Sequence, residues 1–201
     1  MASSRPGVRD GGAFTPSQQY SEAERYEREA LGLPLAVPAP HGLLKARTSA
    51  SKWTAVPRRA IKAPDVLNEA PEYGSAFTRG LRVELPGGVT QLIISGTASV
   101  GDNGETLYEG DFRAQLWRTY HNLTRLLESE SATWRDIVRT TCYIRDIERD
   151  YAAFNDVRNE FFRALGLDPF PASTAIQARI CRSDLLVEIE ALAYFVRGGN
   201  Q

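Results

Sequence analysis

The segment Phe170-Pro171-Ala172-Ser173-Thr174, followed by Leu185-Leu186-Val187-Glu188-Ile189-Glu190-Ala191, decides the reading of this chain. The second run is an apolar strand that carries two acids. Side chains alternate across a strand, so Glu188 and Glu190 share one face while Val187, Ile189 and Ala191 share the other. Acids in so apolar a strand need partners, or they mark a site. The pattern predicts strands over Ser173–Ile180 and Leu186–Val196.

Upstream, helix and strand periods alternate. Tyr151, Phe154, Val157, Phe161, Phe162 and Leu165 predict a helix from about Asp150 to Leu165, stopped by Gly166 and Pro169. Ile137–Ile144 favours β through Val138, Thr140, Thr141, Cys142 and Tyr143. Asp111 caps a second helix to about Ser129, with Phe112, Leu116, Thr119, Tyr120, Leu123, Leu126 and Leu127 on one face. Before it, Phe77–Leu85 and Thr90–Ser95 read as strands joined by Pro86-Gly87-Gly88. Ser95-Gly96-Thr97-Ala98-Ser99 reads as a small-residue loop. The order β-β-α-β-α-β-β predicts an α+β fold, a mixed sheet with both helices on one face. Its other face calls for cover, which self-association supplies.

The chain has 201 residues and a formal net charge of −1, with one packed domain over residues 71–197 and an N-terminal extension over residues 1–70. In the extension, residues 1–20 read as disordered, and Ser21 with Glu24 forms a capping-box pattern for a short helix. Leu33-Pro34-Leu35-Ala36-Val37-Pro38-Ala39-Pro40 reads as a polyproline-like linker. Leu43, Leu44, Trp53, Val56 and Ile61 imply that this extension docks on something. Near-neutral charge argues against a nucleic-acid binder. The start lacks the apolar run of a signal peptide, and no stretch is apolar enough to span a bilayer, so a cytoplasmic protein is expected. Cys142 and Cys181 read as buried free thiols. His41 and His121 are far apart without acid or Cys company, so no metal site is expected.

Taken in order, these pieces resemble the Rid (YjgF-type, RidA-like) family of small-molecule deaminases from about Pro71 to Phe195. The matches are Ile93-Ile94-Ser95-Gly96, Gly104-Glu105, Gln115 with Asn122-Leu123, and Asp136-Ile137-Val138-Arg139-Thr140-Thr141. Further on come Ala152-Ala153-Phe154-Asn155 with Phe161-Phe162, then Phe170-Pro171-Ala172 and Val187-Glu188-Ile189-Glu190-Ala191. The resemblance implies a chorismate-mutase-like fold, a homotrimer with small-molecule clefts between subunits, and hydrolysis of imines or enamines without a cofactor. It also implies site residues. The family glutamate falls on Glu188, the cleft asparagine on Asn155, and the Ser-Gly backbone site on Ser95 and Gly96, with Thr97 beside it. The carboxylate-gripping arginine falls on Ser173, a cleft tyrosine on Phe77, and a frequent cysteine on Ala175.

A serine cannot replace a guanidinium, which supplies a full charge and a rigid fork of donors. Arg179 shares the face of Ser173 but stands about 20 Å along the strand. Arg79, two residues after Phe77, is the better replacement anion anchor; otherwise it is a solvated strand arginine or an interface ion pair. Two readings of Glu188 stand side by side, a catalytic acid–base and a buried acid bonded to a neighbouring chain's backbone.

A second similarity, to the chorismatases, rests on Phe77-Thr78-Arg79, Ser95 to Ser99, Gly110-Asp111 and Ile180 to Glu190. Three functions are then open. The first is a Rid-like hydrolase or deaminase adding water to an imine, an enamine or a related unsaturated anionic metabolite. The second is a chorismatase-like enol-ether hydrolase. The third is a non-catalytic ligand-binding or scaffold trimer. No nucleic acid or membrane partner is expected. Rid-family members also carry an endoribonuclease label, against which the near-neutral charge speaks.

Overall fold

The computed structural model describes residues 56–64, 67–68 and 74–196. The expected helix after Ser21, the proline-rich linker, and Leu43, Leu44 and Trp53 lie outside the described residues. The elements are β1 (Arg58–Ala60), β2 (Gly80–Glu84), β3 (Val89–Ala98), α1 (Phe112–Ser129), β4 (Ile137–Ile144), α2 (Ile147–Ala164), β5 (Ala172–Gln177) and β6 (Val187–Val196). Among the described residues, one six-stranded sheet runs β1-β2-β3-β6-β4-β5. Only β4 and β5 pair in parallel; the remaining neighbours are antiparallel. The β4–α2–β5 unit is therefore the crossover that a parallel pair requires.

Both helices start where an aspartate caps them. Asp111 accepts from the Ala114 N–H at 3.0 Å, and Asp146 accepts from the Arg149 N–H at 3.1 Å. The second cap starts α2 three residues earlier than the apolar spacing predicts. Tyr151 and Leu165, expected inward, are exposed. Leu116, Leu123, Leu126 and Leu127 of α1 pack with Leu92, Ile94, Val187, Ile189 and Ala193 in one core. Each large apolar side chain there contributes about 1.5–3 kcal/mol on burial. The helices are joined by an aromatic cluster, in which Tyr120 stacks on Phe161 at 4.6 Å and Trp134 meets Phe161 edge-on at 5.0 Å.

The packed unit reaches upstream of the expected start at Pro71. β1 pairs with β2, and Ile61 and Leu67 are fully buried in the core. The docking expected of Ile61 is thus onto the chain's own sheet. Glu130, buried at the end of α1, holds this segment. It accepts from both terminal nitrogens of Arg59, at 2.7 and 2.6 Å, and from Arg82 at 3.3 Å.

Two strand boundaries also differ. β2 begins at Gly80, so Phe77 and Arg79 precede the strand. β3 runs through Ser95-Gly96-Thr97-Ala98, where a loop is expected. It does so with a bulge: Ile94 pairs with Ala191 and Thr97 with Ile189, so three steps on β3 match two on β6.

Candidate functional site

The bulge builds the site. One extra residue in β3 inverts the parity of the rest of the strand. Ala98 comes opposite Glu188, while Thr97 comes opposite Ile189 on the core face. Gly96, inside the bulge, lies against the Glu188 side chain, and a Cβ there would overlap the carboxylate, with Glu188 Cδ 2.8 Å away. Only a residue without a side chain lets the carboxyl rest on this backbone. Burial, and then the neighbouring charge of Glu190, push the Glu188 carboxyl above the ordinary carboxylate range. Glu190 accepts a hydrogen bond from the Tyr143 phenol, which is itself raised by burial and by that bond.

Glu188 faces a cleft of about 810 Å³ whose walls include Phe77, Arg79, Ser95, Gly96, Cys181 and Arg182. Arg79 is buried. Its Nε and Nη2 donate to the Asn68 carbonyl at 2.9 and 2.6 Å, and Nη2 also donates to Asn68 Oδ1 at 3.0 Å. Its guanidinium lies over the Phe77 ring, 5.7 Å from the centroid. Ser95 donates its hydroxyl to the Thr78 carbonyl at 2.8 Å, which ties the bulge to the segment carrying Phe77 and Arg79. Arg182 donates to the Gly104 carbonyl at 2.6 Å, to the Thr106 hydroxyl, and to Asp184 at 3.2 Å.

Three polar side chains outside the cleft hold its walls. Gln115 of α1 donates to the carbonyls of Tyr108 and Asp184 at 3.2 and 2.8 Å and accepts from the Leu186 N–H at 2.8 Å. Asn122 of α1 donates to the carbonyls of Ala98 and Val100 at 2.9 and 3.0 Å, where β3 ends. Arg145 donates to the carbonyls of Ile180, Arg182 and Leu185, and so shapes the irregular segment between β5 and β6. Loss of these donors would take hydrogen bonds from carbonyls of the cleft's walls.

The structure gathers Glu188, Arg79, Phe77, Ser95 and Gly96, five of the residues expected in the site. Four others lie elsewhere. Thr97 is buried on the core face and donates to the Ser95 carbonyl at 3.0 Å. Ser173 pairs with Thr140, which is buried, and accepts its hydroxyl at 3.0 Å; its side chain therefore lies on the helix-covered face, opposite that of Glu188. Ala175 packs against the core from the same face. Asn155, on α2, accepts from Arg158 at 2.6 Å. Ser173 and Ala175 stand two residues apart on β5, the strand at one end of the sheet order. Cys181, expected buried, is exposed and lines the cleft, whereas Cys142 is buried and its thiol pushed up by that burial. Asn68 and Arg182 belong to the cleft without having been expected there. Among the described residues no group of three or more His, Cys, Asp and Glu side chains is placed to hold a metal. No helix among them is long and apolar enough to cross a membrane.

Known proteins resemble this chain in sequence and in fold. A RutC family protein of Pyrococcus abyssi is 29% identical over 103 residues, which cover 51% of this chain and 77% of the relative. A 2-iminobutanoate/2-iminopropanoate deaminase of Dermatophagoides farinae is 28% identical over 138 residues, covering 68% of this chain and 95% of that protein. The structure of the YjgF gene product of E. coli aligns at a TM-score of 0.56 with 26% identity, over 70% of this chain and 99% of that one. The Rid protein YyfA of Yersinia pestis shares the fold at a TM-score of 0.57 and 23% identity, over 68% and 98% of the two chains. The family model described as endoribonuclease L-PSP matches residues 82–195, the span from β2 to the end of β6 that holds Glu188, the bulge and both helices. By that match the chain belongs to the Rid family.

Proposed function

We propose that this protein is a hydrolytic deaminase of the Rid type, adding water to the C=N bond of a small anionic imine or its enamine tautomer. The observation that carries this reading is the Glu188 carboxyl, raised by burial and seated on Gly96, in a cleft lined by Arg79 and Arg182. A carboxyl whose pKa is raised is the stronger base and gives its proton back when the charge on the reacting atoms changes. In the first step the water oxygen bonds to the imine carbon as Glu188 takes a water proton and the C=N π pair moves to nitrogen; Glu188 then passes that proton to the nitrogen, which gives the carbinolamine and restores the carboxylate. In the second, Glu188 takes the hydroxyl proton and delivers it to the amine nitrogen as the C=O bond forms and the C–N bond breaks, so that ammonia leaves a 2-oxo acid and the carboxylate is restored. No electrons are exchanged and no cofactor is called for. Arg79 takes the anion-holding role that Ser173 cannot fill.

We read the working form as a homotrimer, since Ser173 and Ala175 on β5 take the sheet face opposite that of Glu188. A neighbouring copy supplies the missing wall and covers the open sheet face, where Ile93 and Tyr194 are exposed. A second reading, an enol-ether hydrolase, is favoured by one observation. Cys181, Arg182, Leu185 and Glu188, all in the stretch similar to the chorismatases, line the cleft together.

The test is direct. An amino-acid oxidase generates the imine, semicarbazide competes for it, and release of the 2-oxo acid is measured with wild type and Glu188→Ala. Faster release by wild type that is lost in the variant supports deamination. No acceleration by a folded protein overturns it, and enol ethers of carboxylic acids then become the substrates to assay.

A further inference from the structure

Arg79 and Arg182 come from segments far apart in the chain, yet their supports touch. Arg79 donates three hydrogen bonds to Asn68, two to its carbonyl and one to its side chain. The Asn68 amide in turn lies against Gly104: a Cβ built on Gly104 would stand 2.7 Å from Asn68 Nδ2 and 3.1 Å from Oδ1. Gly104 has φ +80°, and its carbonyl accepts from Arg182 at 2.6 Å. The path Arg79–Asn68–Gly104–Arg182 is therefore continuous, and all four residues line the cleft that Glu188 faces.

We propose that Asn68 and Gly104 form a brace that fixes the two guanidinium groups as one anion-binding wall. The two are positioning residues for a ligand carboxylate. This rests on the reading of the cleft as an anion site. The physical case lies in what the brace removes. An arginine side chain carries several soft torsions, and holding its planar fork in place beforehand lowers the ordering cost of binding. The Asn68 carbonyl and amide oxygen together hold the Nε and Nη2 edge of Arg79, which fixes the plane of its guanidinium. Gly104 is demanded twice, by its left-handed backbone and by the close approach of Asn68.

The test is a double-substitution cycle. Pyruvate serves as the carboxylate probe and methyl pyruvate as its uncharged counterpart, each titrated by NMR into the full chain, with melting temperatures alongside. Gly104→Ala pushes a methyl group into the Asn68 amide and should weaken pyruvate binding by about tenfold, with the ester little changed. Asn68→Ala removes the obstacle. The pair Asn68→Ala/Gly104→Ala should therefore bind pyruvate within about threefold of Asn68→Ala alone. Gly110→Ala is the control, because Gly110 has φ +79° with open space around its missing Cβ, so it reports strain alone.

Several results would overturn the brace. One is a Gly104→Ala loss equal for pyruvate and ester and matched by Gly110→Ala. Others are a double variant whose loss equals the sum of the two single losses, or unchanged pyruvate affinity in every variant. If wild type binds neither probe, the anion reading falls, and the brace with it. If wild type binds pyruvate and the cycle shows no coupling, only the brace falls.

Discussion

The two faces of β6 share a backbone and perform opposite tasks. Toward the helices stand Val187, Ile189, Ala191 and Ala193, none more than 3% exposed. Toward the open side stand Glu188, Glu190, Leu192 and Tyr194, all at least partly exposed. The first face gains its stability by transfer of apolar surface and has no place for a charge. The second gains little that way, and there a bulge in β3 makes room for a carboxyl. Neighbouring residues, one peptide apart, should therefore fail in different ways.

The sharpest test of this contrast compares Ile189→Ala with Glu188→Gln. The first leaves a cavity under α1 and should cost about 2–5 kcal/mol of stability, read from urea unfolding. The second should leave the unfolding midpoint no lower, while imine hydrolysis falls by about 10²- to 10⁴-fold. If Glu188→Gln unfolds as readily as Ile189→Ala, Glu188 is a structural acid and the contrast is lost.

The same contrast sets how much of the molecule was legible in the sequence. The alternation through Val187–Ala191 is an uninterrupted period of two, and it placed both faces of β6 correctly. The helices were legible because their apolar stripes are long, and Asp111 marked the start of the first, while the cap at Asp146 put the start of the second before its stripe. The bulge was not, because Ser95-Gly96 has the local chemistry of a loop. Its meaning lies in a register mismatch with a strand some 90 residues away, which a local pattern does not encode (Ala98 pairs with Glu188). The misplacement of Thr97 has the same origin, since one extra residue flips parity. β1 escaped notice because three residues, two of them arginines, carry no strand period. Arg182 escaped because its carbonyl acceptor lies 78 residues upstream. Family resemblance carried Ser173 and Asn155 to their positions but not to a face of the sheet. The hydrogen bond from Thr140 to Ser173 shows which face Ser173 takes.

The bulge itself offers a finer probe. Gly96→Ala puts a methyl group where the Glu188 carboxylate rests, and the flexible end of that side chain must give way. Stability should change by less than about 1 kcal/mol, while kcat/KM should fall by about tenfold as the carboxyl leaves its seat. Equal activity would mean that the carboxyl works from elsewhere in the cleft, and that the bulge serves only the geometry of the sheet.

The smallest effect is also the most specific to the open face. Because the folded state raises the Glu188 pKa, the folded chain holds that proton more tightly than the unfolded chain does. Below the ordinary carboxylate range both states are protonated, and wild type and Glu188→Gln should have nearly equal stability. As pH rises through that range toward the raised folded value, ionising the buried carboxyl costs wild type stability that the amide does not lose. The difference in melting temperature between Glu188→Gln and wild type should therefore grow with pH and level off above the folded pKa. Glu190→Gln removes the second cause of the shift, so in that background the growth should be smaller and end at lower pH. Parallel curves would mean that the Glu188 carboxyl is solvated in solution. The open face would then be an ordinary wet surface, and the contrast with the helix-covered face would reduce to exposure alone.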